Sequence, residues 1–332
     1  MCSTPTLLPG LLLAGGVALV ATVLGTWMPV VGAPVFGILL GVLVAGLLPA
    51  ARGERTAPGL AFAAKKVLQA SIVVLGLGLS LGQVLRIGGE SLPVMLGTLV
   101  VALVAAWLLG RWLGTPRDVT TLVGVGTGIC GASAIAAASA VIKPRQEDVA
   151  YAIGTIFTFN ILAVLLFPPL GHALGMDEAA FGLWAGTAIN DTSSVVAAAY
   201  SYGDEAGPHA VVVKLVRTLM IIPIVLVLAW ATARREQGGA ERVPLRKVLP
   251  TFILLFLLAA ALRSLGLVPD AWQEGVTTLG VLLITTALAA IGLTLRVDQV
   301  RAAGPRPLLL GGMVWVLVSV SSLGLQALTG TL

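Results

Sequence analysis

Apolar residues run along this chain in blocks of about twenty, interrupted at short intervals by charged residues and by stretches containing Pro or Gly. A helix needs roughly 20 consecutive apolar residues to cross a bilayer, so each block predicts one spanning helix. Cutting at the polar breaks predicts about eleven, at 7–28, 31–50, 59–85, 91–113, 118–142, 148–174, 178–201, 206–232, 247–267, 271–294 and 307–330. No basic run precedes the first block, which therefore reads as a retained span and not as a cleaved leader.

Composition removes the soluble alternatives. Only 11% of the 332 residues are charged, against about 25% in a soluble domain, while 58% are hydrophobic and the mean hydropathy is +1.02. Glycines number 40, more than the 20 basic and 15 acidic residues together. A soluble globule, a disordered chain and a disulfide scaffold are all excluded. What remains is an all-α polytopic membrane protein. Cys2 and Cys130 are too few for a disulfide framework or a metal cluster. No nucleotide loop, zinc spacing, catalytic triad or nucleic-acid motif occurs, so neither a cofactor nor a nucleic-acid partner is implied. Cys130 is the one nucleophile at depth, and with no base evident beside it the sequence does not read as an enzyme.

Loop charges predict the orientation. With the N-terminus inside, cytoplasmic loops hold Arg52, Arg55, Arg111, Arg117, Arg234, Arg235, Arg242, Arg246, Lys247, Arg296, Arg301 and Arg306, whereas outside loops hold Arg86, Lys143, Arg145 and Arg263. This asymmetry predicts N-in and C-out, and it accounts for the net charge of +5.

A collinear set of weak matches predicts an internal repeat. Phe36-Gly37-Ile38-Leu39-Leu40-Gly41 is followed later by Phe181-Gly182-Leu183-Trp184-Ala185-Gly186, and Lys66-Val67-Leu68-Gln69 by Lys214-Leu215-Val216-Arg217. Pro93 matches Pro250, and Thr120-Thr121-Leu122 matches Thr277-Thr278-Leu279. Residues 1–30 then form an extra N-terminal helix, 31–175 a first five-span repeat and 176–332 a second, within a single membrane domain. Five crossings is an odd number, so the second copy is inverted, the plan secondary transporters use for alternating access.

Span 118–142 carries Gly124-Val125-Gly126-Thr127-Gly128-Ile129-Cys130-Gly131-Ala132-Ser133. Each glycine costs about 1 kcal/mol in a helix interior, which predicts unwinding; such backbone is tolerated in a bilayer only where it faces protein or water. Close packing of small residues is the competing explanation. Thr127, Gly128, Cys130, Gly131 and Ser133 are candidate ligands here. The repeat mate, 271–294, places Thr285 and Thr286 at the same relative depth without the glycines. If it too is interrupted, two half-helix N-termini converge near the midplane and favour an anion.

Charges inside spans cost roughly 2.5–3.5 kcal/mol at the bilayer centre, so each needs a reason. Asp191 is the one deep acid, within Asn190-Asp191-Thr192-Ser193-Ser194; Lys65, Lys66, Lys214 and Arg217 are the bases. Lys65 is near enough to a span end to snorkel. Lys214 and Arg217, three residues apart, share one helical face. They read either as a substrate-facing pair or as ion-pair partners of Asp191, and Asp191 as a coupling or gating carboxylate, a cation ligand with Asn190, or a counter-charge. Lys66, Asn190, Thr192 and Ser193 complete the candidate substrate site, and Asn160, Gln69, Phe157 and Phe159 read equally as packing residues.

Thr127-Gly128-Ile129-Cys130-Gly131-Ala132, then Asp191 with Val195-Val196-Ala197-Ala198, then Lys214-x-x-Arg217 with Pro223, resemble in order and spacing the YeiH-like family of bacterial membrane proteins, to which sulfate export is ascribed. The resemblance spans essentially the whole chain. That family is similar to the cation–proton antiporters and bile-acid-type transporters, which implies two inverted five-helix repeats with crossing broken helices in a bacterial inner membrane. It also implies secondary transport of a small anion such as sulfate or a related sulfur oxyanion or sulfonate. Cation–proton antiport through Asp191 with Asn190 is the alternative, and a coupling proton or Na+ and a homodimer stay open. Asn190 stands where many members have His, and Ser194 where they often have Gln, which either leaves Asp191 to handle a proton at this position or takes proton coupling away.

Overall fold

The computed structural model describes residues 7–27, 32–48, 51, 53–236, 251–294 and 305–332. Arg52, Arg242, Arg246, Lys247, Pro250, Arg296 and Arg301, on which part of the orientation and repeat readings rest, lie outside the described residues, as does Cys2. Every regular element among those residues is helical. Seven helices are long and apolar enough to cross a membrane, and Gly32–Leu47, Ala132–Ile142 and Thr251–Ser264 are shorter apolar helices. The protein is an all-α polytopic membrane protein.

In chain order the helices are α1 (Leu8–Trp27), α2 (Gly32–Leu47), α3 (Ala57–Gly76), α4 (Leu81–Trp112), α5 (Arg117–Gly128), α6 (Ala132–Ile142), α7 (Gln146–Ala173), α8 (Glu178–Ala188), α9 (Thr192–Tyr202), α10 (Ala206–Leu219), α11 (Ile221–Glu236), α12 (Thr251–Ser264), α13 (Gln273–Thr294) and α14 (Pro305–Thr329). Two expected boundaries move. The span expected at 59–85 ends at Gly76, and α4 starts at Leu81, well before 91, so that Pro93 lies inside it instead of opening it. The cause is a local one: the Gln83 amide donates to Ser80 Oγ (3.2 Å) while the Ser80 amide donates to Gln83 Oε1 (2.9 Å). This reciprocal capping box starts a helix at a stretch that hydropathy alone assigns to the end of the preceding span.

The chain divides into two compact units. One comprises Met1–Arg86, Val196–Pro208 and Thr251–Arg296. Within it α2 packs along α13, α1 along both, and α3 along α12 and α13. The close approach is made by small residues: a Cβ on Gly41 would fall 2.5 Å from the Ala289 carbonyl oxygen, and one on Gly292 would fall 2.3 Å from that of Ile38. On α1 the small and buried positions Gly10, Ala14, Ala18 and Ala21 face inward while Leu12, Leu19 and Val23 are exposed. Large residues outward and small ones inward is the arrangement lipid permits, since acyl chains solvate Leu as well as protein does.

The other unit comprises Ile87–Val195, His209–Pro250 and Val297–Leu332. Its centre is α5 and α6, packed on α7, α11 and α14. The apolar core there includes Leu122, Val123, Ile129, Ile135, Ile156, Leu310 and Val314. A neighbouring aromatic group anchors α8: Phe167 stacks on Trp184 at 4.1 Å between centroids, and Trp184 Nε1 donates to the Ser319 carbonyl (3.1 Å). Such pairs add about 0.5–1.5 kcal/mol beyond area burial.

Candidate functional site: a crossing of two broken helices

Two helices of the second unit are interrupted. The first break is at Ile129-Cys130-Gly131, between α5 and α6, as the glycine-rich motif predicts. Unwinding is narrower than the motif suggested. The helix persists through Gly124, Gly126 and Gly128, whose missing side chains admit Ala106, Ile135 and Leu99 respectively at 2.8–3.1 Å from an ideal Cβ. Both sequence explanations therefore hold on different residues: three glycines pack, and Gly131 breaks the helix. Gly131 has φ +68°, ψ −128°, a backbone state closed to residues with a Cβ.

The second break is at Ile189-Asn190-Asp191, between α8 and α9, inside what the hydropathy pattern reads as one continuous span. The interruption left open for 271–294 is not observed: α13 runs unbroken from Gln273 to Thr294. There Thr285 and Thr286 donate back to the Val281 and Leu282 carbonyls (2.9 Å each), satisfying themselves within the helix. At 189–191 the side chains instead compete with the helix. Asp191 caps α9, its Oδ2 accepting from the Ser193 amide (3.2 Å) and from the Ser193 hydroxyl. Asn160 of α7 accepts from the Asp191 amide (3.2 Å).

The two breaks meet. An ideal Cβ on Gly131 would lie 3.5 Å from Asp191 Cβ and 3.6 Å from the Asn190 carbonyl carbon. Lys214 and Arg217, on one face of α10 and fully buried, bind both halves of the crossing. Lys214 Nζ donates to the Ile129 (3.0 Å) and Ile189 (2.7 Å) carbonyls, the C-caps of α5 and α8. Arg217 donates through Nη2 to Thr127 (3.1 Å) and through Nη1 to Thr187, each two residues before the corresponding cap. Each cation thus takes one equivalent carbonyl from each half-helix. The C-terminal carbonyls of a helix lack intrahelical donors and carry about half a negative charge, so two cations here satisfy two helix ends that lipid could not. The ion pair with Asp191 weighed for these bases is absent: among the described residues their polar partners are main-chain carbonyls.

Several polar atoms at the crossing lack partners among the described residues. Asn190 is 1% exposed with both Oδ1 and Nδ2 unpaired, and Thr127 Oγ1, Asn160 Nδ2 and Arg217 Nε are buried and unpaired too. An unsatisfied buried polar group costs about 1–3 kcal/mol, and the crossing gathers five such atoms among the described residues. Asp191 and Thr192 are partly exposed, and Ser193 and Cys130 are buried, so the crossing gathers Thr127, Gly128, Cys130, Gly131, Asn190, Asp191, Thr192, Ser193, Lys214 and Arg217. Ser133 is the second residue of α6 and is exposed. Lys66, exposed in a π-helical turn of α3, and Thr285 and Thr286 belong to the other unit and are not brought to the crossing by these contacts. Asn160 is the residue sequence reasoning undervalued. Its only signal was a lone amide in an apolar helix.

A family model described as Conserved hypothetical protein 698 matches residues 9–311. Similar proteins include a UPF0324 membrane protein of Streptococcus pyogenes serotype M3, 44% identical with 97% of each chain covered, and one of Streptococcus mutans serotype c, 42% identical with the same coverage. A UPF0324 membrane protein of Streptococcus agalactiae serotype V is 40% identical over 98% of each chain.

Proposed function

For a chain that belongs to the Conserved hypothetical protein 698 family, the YeiH-like group its motifs resembled, we propose secondary active transport of a small anion, with sulfate, a related sulfur oxyanion or a sulfonate as the candidate substrate, by alternating access to the crossing of the broken helices. The observation that carries this reading is the charge balance around the unpaired Asn190. Lys214 and Arg217 bring two positive charges, offset by Asp191 and by two helix C-termini of about half a charge each. The N-termini of α6 and α9 begin at the same place and add about half a positive charge each. About one positive charge is left in excess, in an apolar unit where water cannot screen it. An anion accepting from Asn190 Nδ2, Asn160 Nδ2, the Thr127 hydroxyl and Arg217 Nε supplies both the missing charge and the missing acceptors.

Cation–proton antiport is the second reading, favoured by the partly exposed Asp191 beside the free Asn190 Oδ1. Flux of sulfate, sulfite, thiosulfate and short sulfonates into proteoliposomes separates the two. Anion flux abolished in Asn190→Ala, with no cation-dependent proton movement in the parent protein, supports anion transport. Proton flux driven by Na+ or K+, lost in Asp191→Asn and indifferent to every anion tested, overturns it.

A further inference from the structure

Away from the crossing, the second unit carries a groove of about 530 Å³ between α4, α5 and α11 that neither the transport reading nor the family match uses. Its volume falls within the range of about 300–1,000 Å³ typical of ligand sites. Its walls are apolar along Leu103, Ala106, Trp107, Ile224, Val227 and Leu228, and two of these, Trp107 and Val227, face outward. One end is different. There the short turn from α4 to α5 places Arg111, Thr115 and Arg117 on the groove, with Thr120 and Thr121 one turn further in. Arg111 lies over the Trp107 ring at 5.4 Å and both arginine side chains are exposed. Thr115 lines the groove and is 9% exposed; its hydroxyl is buried and has no hydrogen-bond partner among the described residues. α5 starts after Pro116 with no side chain capping its first-turn amides. Asp118 shares that turn but does not line the groove.

We propose that this groove holds one anionic phospholipid, its phosphate between Arg111 and Arg117 and an acyl chain along the apolar wall. The chemistry divides as a lipid does. Two guanidiniums and uncapped helix amides suit a phosphate diester, while a wall of Leu, Val, Ile and the Trp107 face suits a hydrocarbon chain and offers nothing to a free anion. A helix end at a short polar turn, with Trp107 and Trp112 beside it, is also where the membrane interface lies. Basic pockets between spanning helices recognise anionic head groups for the same reason.

The test is thermal stabilisation of the delipidated, detergent-solubilised protein by phosphatidylglycerol, phosphatidylcholine or inorganic phosphate, with retained lipid counted by native mass spectrometry. Phosphatidylglycerol is expected to raise the melting temperature and to be retained at one per chain. Each arginine removed should weaken binding about fivefold, so Arg111→Gln with Arg117→Gln loses most of the shift. Val227→Trp, at an exposed wall position, should block the chain and lose the shift while leaving the lipid-free melting temperature unchanged. Equal stabilisation by phosphatidylcholine, an undiminished shift in the arginine variant, or the full effect from inorganic phosphate overturns the proposal. None of these outcomes depends on transport, so this site and the crossing stand or fall separately.

Discussion

Replacing Lys214 by methionine removes the ammonium but keeps a chain of similar length, and so isolates what the charge does at the crossing. In the native protein its two hydrogen bonds end on the Ile129 and Ile189 carbonyls, at the C-caps of α5 and α8. Losing them orphans two buried carbonyls at about 1–3 kcal/mol each, or about 2–6 kcal/mol. Against that, the variant no longer carries a cation at depth, which relieves roughly 2.5–3.5 kcal/mol on insertion scales. The net global change therefore lies between a gain of about 1.5 kcal/mol and a loss of about 3.5 kcal/mol, and the protein should fold. The local effect is larger because the relief is global while the orphaned carbonyls are confined to the two breaks. A local loss of about 2–3 kcal/mol corresponds to roughly 30- to 150-fold faster opening. Hydrogen exchange of peptides covering residues 126–134 and 186–194 in nanodiscs should show this acceleration in both segments together, with the core of α7 unaffected. Lys214→Gln, which retains donors without charge, should fall between. Exchange at both breaks indistinguishable from the parent would refute the account of Lys214 as the common cap of the two half-helices, and so would acceleration at only one of them.

Three further outcomes are expected. Asp191→Asn should keep the α9 cap and cost under about 0.5 kcal/mol, whereas Asp191→Ala should cost about 1 kcal/mol; if both variants melt alike in detergent, the cap is not the structural role of this residue. Gly131→Ala forces a Cβ onto a φ of +68° and should lower stability by about 1–3 kcal/mol, read as a lower melting temperature with anion flux reduced in parallel. Gly292→Ala would set a methyl group 2.3 Å from the Ile38 carbonyl oxygen, so the α2–α13 contact must open at a cost of about 1–3 kcal/mol; a disulfide engineered across that contact should form more slowly than in the parent.

The number of polar partners explains why one broken helix was legible in the sequence and the other was not. Gly131 announces a break because four glycines in eight residues are improbable in a stable helix. Asn190-Asp191 announces only polarity. Whether such residues interrupt a helix depends on whether their side chains find something better than solvent, and Asp191 does so through Ser193 and through Asn160, 31 residues away. Thr285 and Thr286 show the opposite outcome, returning their hydroxyls to their own helix. The Ser80–Gln83 box was readable in principle as S-x-x-Q, but hydropathy outweighed it.

Composition and block length were enough to establish a polytopic helical membrane protein, because the burial of backbone polar groups in lipid leaves no other solution for so apolar a chain. They were enough, too, to single out Asp191, Lys214 and Arg217, since a deep charge must be paired with something. What it is paired with lay beyond them. The partners of Lys214 and Arg217 are main-chain carbonyls at Thr127, Ile129, Thr187 and Ile189, groups every residue possesses and which become special only when a helix ends there. A helix end has no residue type of its own, and only the tertiary structure puts two of them against the same lysine and the same arginine.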